Sequence, residues 1–238
     1  MEATNYVFQR SEKKYILNQF QLEQVKRILE NRFKVDHYGV HTICNIYYDT
    51  DQYDIIRRSI EKPIYKEKFR LRSYGIPSEN DNVFLEIKKK YNGIVYKRRE
   101  NMTLYHAMQY LEKQEKPSEM SQILKEIDYF ISYYQPKPKV YIAYDRIAFG
   151  GLQDNNLRIT FDQKIRYRFQ DLYLQNGDYG EQLLPEGYCL MEIKIQDAFP
   201  VWLTRALNEL SIFPISFSKY GTIYKNEHMK SAIGGTIC

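Results

Sequence analysis

Lys68-Phe69-Arg70-Leu71-Arg72 and Phe84-Leu85-Glu86-Ile87-Lys88 are the stretches that decide the fold. Side chains two apart in a β-strand share a face, so Phe69 and Leu71 point one way and Arg70 and Arg72 the other. Leu85 and Ile87 oppose Glu86 and Lys88 in the same manner. The alternation recurs in 8–14, in Val95-Tyr96-Lys97-Arg98-Arg99, in Arg158-Ile159-Thr160-Phe161-Asp162 and in Glu192-Ile193-Lys194-Ile195. One such strand is an ordinary solvated sheet face. Six predict a sheet with a polyanion on its charged side, because like charges stacked across neighbouring strands repel unless something neutralises them.

The chain has 238 residues, enough to bury a real core, and reads as one α+β domain over 1–238. Its net charge is only +5, so the signal is where the charge sits and not its sum. Three cysteines without paired spacing argue for a reducing compartment and against a zinc cluster. The polar start is no signal peptide, and no apolar run approaches the roughly 20 residues of a membrane span. A cytoplasmic location is the expectation.

Asn18 with Gln21 three residues on resembles a capping box, opening an amphipathic helix to about Phe33. A strand is expected from Cys44 to Asp49, then a loop or short helix to Ile60. Asn92-Gly93 marks a hairpin. Apolar stripes on Leu104, Ala107, Met108 and Leu111, and on Met120, Ile123, Leu124, Ile127, Phe130, Ile131 and Tyr134, predict a helical insert over about 103–135. Further strands are expected at Val140 to Phe149, Leu157 to Asp162, Ile165 to Phe169 and Tyr188 to Ile195, and a last full helix at about Pro200 to Leu210. Phe217 to Gly221 reads as loop-like. Helices can cover the apolar strand faces. A sheet closed into an antiparallel β-barrel would then turn its charged faces inward, which makes sense only around a wet, ligand-holding tunnel.

Arg10-x-Glu12-x-Lys14-Tyr15, Tyr47-Tyr48-Asp49-Thr50, Arg70-Leu71-Arg72-Ser73-Tyr74-Gly75, Phe84-Leu85-Glu86-Ile87-Lys88, Tyr144-Asp145-Arg146, Leu190-Met191-Glu192-Ile193-Lys194 and Phe217-Ser218-Lys219-Tyr220-Gly221 follow one another along the chain. In this order they resemble the VTC domain, the polyphosphate polymerase domain of the vacuolar transporter chaperone complex, a branch of the triphosphate tunnel metalloenzymes. The resemblance implies an antiparallel β-barrel tunnel with helices outside. It implies a phosphotransferase that moves the γ-phosphate of ATP onto inorganic polyphosphate, releases ADP and uses Mn²⁺ or Mg²⁺. Carried over by position, Lys14, Arg70, Arg72, Lys88, Lys97, Arg146 and Lys219 would grip phosphates, and Glu192 would hold the metal. Arg99 shares the Lys97 face and joins them. Arg10 stands where hydrolytic tunnel enzymes carry an acid, and a cation there suits a site holding more phosphate.

Such a reaction asks little covalent help from protein. It needs aligned groups and positive charge where oxyanions crowd. A terminal phosphate is already an anionic nucleophile, so no base is required, and none of the four histidines lies on these strands. Two rival readings remain: hydrolysis of a short triphosphate, and a module that binds polyphosphate without turnover. Nucleic acid is disfavoured because aromatics do not interleave with the basic positions. The sequence names no protein partner. Glu12 and Glu86 stand evenly between counter-ion and ligand, Tyr47 and Tyr48 read as packing, and Arg166 and Arg168 as solvated or peripheral.

Overall fold

The computed structural model describes residues 11–92, 94–152, 154, 156–196 and 198–234. Arg10, Gly93 of the expected hairpin and Cys238 lie outside them. The first half of the chain runs β1 (Ser11–Leu17), α1 (Gln19–Leu29), β2 (Phe33–Val35), β3 (His41–Asp49), α2 (Asp54–Ile60), β4 (Tyr65–Tyr74), β5 (Asn82–Tyr91) and β6 (Ile94–Thr103). It continues with α3 (Leu104–Lys113), α4 (Gln122–Tyr134), β7 (Lys137–Gly151), β8 (Arg158–Arg168), β9 (Glu181–Gln182), β10 (Cys189–Ile195), α5 (Val201–Glu209) and α6 (Lys219–Gly234). The fold is α+β. The hydrogen-bonded strand order is β1-β10-β8-β7-β3-β4-β5-β6, with β2 on β7 and β9 on β8. β1 with β10, β10 with β8, β2 with β7, β3 with β4, β4 with β5 and β5 with β6 pair antiparallel. The order is an open path: no ladder among the described residues joins β1 to β6 and closes it.

The chain divides into two compact units, 1–42 with 144–166 and 182–217, and 43–143 with 167–181 and 218–238. In the first unit, Leu22, Val25 and Leu29 of α1 and Leu203 and Leu207 of α5 pack on the apolar parity of the strands. Those partners are Tyr15 and Leu17, Ile159 and Phe161, and Met191, Ile193 and Ile195. In the second unit, Leu104, Ala107 and Tyr110 of α3 and Leu124, Ile127 and Phe130 of α4 pack on Phe69, Leu71, Val83, Leu85 and Ile87. Helices therefore cover the apolar strand faces, and in each unit the charged parity is left on the other face of the strands.

The local signals act as their chemistry requires. Asn18 Oδ1 accepts from Gln21 N at 2.9 Å and Gln21 Oε1 accepts from Asn18 N at 3.1 Å, a reciprocal cap. The helix it opens ends at Leu29 and not near Phe33, because Phe33 begins β2 and joins the same core beside Trp202. The two strands expected between 157 and 169 are one, β8, which carries Lys164 at φ 46° within it. The segment read as loop-like holds the start of α6, capped by Ser218. Its Oγ accepts from Gly221 N at 3.3 Å, and its carbonyl accepts from Thr222 N at 2.7 Å. Buried Asp49 accepts from the amides of Thr50, Ile55 and Ile56 and from Tyr220 Oη, tying α2 to α6. No helix among the described residues is long and apolar enough to cross a membrane.

Candidate functional site: two faces of paired charge

In the second unit, register builds two rungs across β4, β5 and β6. Arg70 lies opposite Glu86, and Glu86 opposite Arg99. Two residues along, roughly 6–7 Å, Lys68 lies opposite Lys88, and Lys88 opposite Lys97. β3 extends the first rung with Tyr47 beside Arg70 and places Asn45 beside Arg72.

Glu86 is the hub. Its carboxylate is 2% exposed and takes Arg70 Nη2 at 2.6 Å, Arg99 Nη2 at 2.7 Å and Lys97 Nζ at 2.9 Å, with Arg72 Nε at 3.7 Å. Arg72 is held by Asn45 Oδ1 at 2.8 Å, and Arg70 Nη1 donates to Tyr47 Oη at 2.8 Å. One negative charge thus meets four cations. Burial alone would raise the Glu86 carboxyl, but the fields of Arg70, Arg72 and Lys97 outweigh it and hold the group well below the usual carboxylate range. Lys97 moves the opposite way. Desolvation, then Arg70 and Arg72, push its ammonium down to about 7 against the pull of Glu86. An anion arriving here would relieve that repulsion.

The head of α6 adjoins the lysine rung. Lys68 Nζ donates to Ser218 Oγ at 3.0 Å, and the Tyr220 ring lies 5.2 Å from that of Tyr47. Lys219, between these two residues, opens the helix where a cation opposes the macrodipole.

The first unit carries a different balance. Arg146 is bidentate on Asp162, at 2.6 and 2.7 Å, and its Nη2 lies 3.6 Å from Glu192. Burial would lower the Arg146 pKa, but Asp162 overrides it and raises the value well above the usual range. Glu192 also meets Lys14 at 3.7 Å and Lys194 at 3.4 Å. Glu12 meets Lys14 at 3.3 Å and Lys194 at 3.9 Å. Three carboxylates here face three cations. The ion pairs of Glu192 span 3.4–3.7 Å and those of Glu12 3.3–3.9 Å, whereas Asp162 and Glu86 each take contacts below 3 Å.

Of the expected site residues, Arg70, Arg72, Lys97 and Arg99 converge on Glu86, Lys88 sits in the lysine rung, and Lys14, Arg146 and Glu192 meet in the first unit. Glu86 is an internal counter-ion. Lys68 and Asp162 are not among the expected residues, although their parity with Arg70 and Thr160 places them on the same faces. Two readings need correction. Tyr47 does more than pack, since its hydroxyl orients Arg70. Arg168 is not solvated: it is buried over the Tyr141 ring at 3.6 Å. It donates to the carbonyls of Asp171, Tyr173, Gly177 and Tyr179, stapling that loop.

The VTC domain family model matches residues 9–228. Among curated proteins the chain is similar to vacuolar transporter chaperone complex subunit 4 of Schizosaccharomyces pombe, 26% identical over 223 residues. That match covers 75% of this chain and 30% of the relative's length. Among solved structures it is similar to HpAC1 from Hippeastrum, described as a candidate adenylyl cyclase with a dominant triphosphatase activity. The TM-score is 0.55 at 14% identity, covering 90% of this chain and 95% of that one. A candidate adenylate cyclase from Bacillus halodurans aligns with TM-score 0.52 at 15% identity, covering 87% and 92%. The two structures share the fold, and the family match runs through nearly all of the sequence: the chain belongs to the VTC domain family.

Proposed function

We propose that the chain is a polyphosphate polymerase. It would transfer the γ-phosphoryl group of ATP onto the end of an inorganic polyphosphate chain and release ADP. The observation that carries this reading is the Glu86 hub, where Arg70, Arg72, Lys97 and Arg99 crowd one carboxylate, with Lys68 and Lys88 in the same rung as Lys97. Like charges directly opposite across strands destabilise a sheet. A linear polyanion with a charge on every phosphate answers that cost. Family membership supports the same direction.

In this reading Arg70, Arg72 and Arg99 offer paired planar donors to phosphate oxygens, while Lys68, Lys88 and Lys97 offer compact charge. Lys219, Lys14, Arg146 and Arg10 are proposed as further phosphate contacts. For a divalent metal the donor chemistry fits: Glu192 and Asp162 supply hard carboxylate oxygens. Among the described residues no group of three or more His, Cys, Asp or Glu stands ready to cage an ion. Mn²⁺ or Mg²⁺ would therefore be held by Glu192 together with substrate phosphates, as suits an ion that binds through one or two carboxylates. When bound, it would neutralise charge on the leaving diphosphate.

Triphosphate hydrolysis is the second reading, favoured by the triphosphatase activity of the Hippeastrum protein with which the fold is shared. Arg10, in place of an acid, weighs against it. Purified protein incubated with ATP and Mn²⁺ separates the readings: polymer with ADP supports the polymerase, and free phosphate without polymer supports the hydrolase. Arg70→Ala and Glu192→Ala, folded by circular dichroism, are expected to lose about 100-fold or more in turnover. Unchanged turnover in both would remove these residues from the reaction.

A further inference from the structure

Thr160 poses a question that the paired charges leave open. Its side chain is 2% exposed, and its hydroxyl has no hydrogen-bond partner among the described residues. Ile159 and Phe161 on either side point into the core, so Thr160 points to the charged face, as Asp162 does. Register sets it directly opposite Glu192, which lies in turn opposite Lys14. Lysine, carboxylate and hydroxyl thus form one rung across β1, β10 and β8. Buried polar groups are satisfied in nearly all proteins, and an exception calls for a reason.

We infer that Thr160 is a phosphate-positioning residue, its hydroxyl donating to an oxygen of a phosphate bound beside Glu192 and Lys14. The inference rests on the polyanion reading of this face and adds to it a neutral donor. Glu192, the register partner of Thr160, belongs to an ion-pair network of three cations and three carboxylates. In such a balanced field a neutral donor fixes the orientation of a tetrahedral phosphate without adding charge. An unoccupied hydroxyl here costs stability, and a bound phosphate oxygen recovers it.

Thr160→Val is nearly isosteric and removes only the hydrogen-bonding group; Thr160→Ser keeps it. Thermal unfolding without ligand, and calorimetric titration with inorganic tripolyphosphate in chelator-treated buffer, are the two readouts. Thr160→Val is expected to melt at or above the wild-type temperature and to bind tripolyphosphate about tenfold more weakly. Thr160→Ser should stay within about threefold of wild type. Equal affinity in Thr160→Val, or a weakened affinity accompanied by a lower melting temperature, overturns the inference while leaving the polyanion reading intact. A defect seen only when metal is added also overturns it, since Thr160 would then act through the metal. Absence of tripolyphosphate binding by the wild type removes the polyanion reading, and this inference with it.

Discussion

Replacing Glu86 by Gln takes away the carboxylate on which Arg70, Arg72, Lys97 and Arg99 converge. The cations are then left to repel one another at a partly desolvated site. The variant should lose about 3 kcal/mol of unfolding stability, the lower end for a broken buried pair because Arg99 and Lys97 are partly exposed. Tripolyphosphate at a hundredfold excess over its Kd should return about 2.7 kcal/mol, measured by denaturant unfolding with and without ligand. A variant as stable as wild type would show that the hub carries no strain. Lys97 gives a second prediction. Its side chain is 43% exposed, yet the burial of its surroundings and the neighbouring guanidiniums bring its pKa down to about 7. A bound polyanion raises it again, so above pH 7 binding takes up a proton and weakens as pH rises. At pH 8, titration in two buffers of different ionisation enthalpy should report that uptake, and Lys97→Arg, which stays charged, should abolish it. The parity of Arg70, Arg72, Glu86 and Lys88 was readable in the sequence. The choice of Glu86 as shared counter-ion was not, because it depends on register across three strands.

Among the elements, α3 and α4 were legible because their apolar stripes follow helical spacing, and the same stripes supply the cover for Phe69, Leu71, Leu85 and Ile87. Ile127 of α4 is fully buried in that contact. Ile127→Ala should cost about 2–5 kcal/mol by the transfer and cavity terms together, read from chemical unfolding. A loss under 1 kcal/mol would mean that the helix does not seal the sheet. Parity also separates neighbours within one strand: Lys89 turns to the helix side and meets Glu126 of α4 at 3.2 Å, away from the Glu86 face. The start of α6 carries a weak sequence signal for a physical reason. The helix buries Tyr220 and Ile223 without a continuous apolar stripe, and its opening lysine is the reverse of what a helix N-terminus favours. The spacing extends α1 too far because Phe33 continues the apolar pattern while belonging to a strand.

For the molecule as a whole, a net charge of +5 conceals two unlike faces. Three carboxylates offset three cations in one unit, and one carboxylate meets four cations in the other. In the proposed function the first arrangement would hold a metal through Glu192, and the second would hold crowded phosphates. The ordered motifs make the family visible in the sequence, and the family match spans residues 9–228. Fold alone leaves synthesis and hydrolysis open, since one scaffold hosts different chemistries. The balance of phosphate decides between them. Wild-type protein given ATP and Mn²⁺ should release ADP in step with phosphate appearing in a polyphosphate ladder, with little free phosphate. ADP matched by free phosphate, and no ladder, would contradict the account.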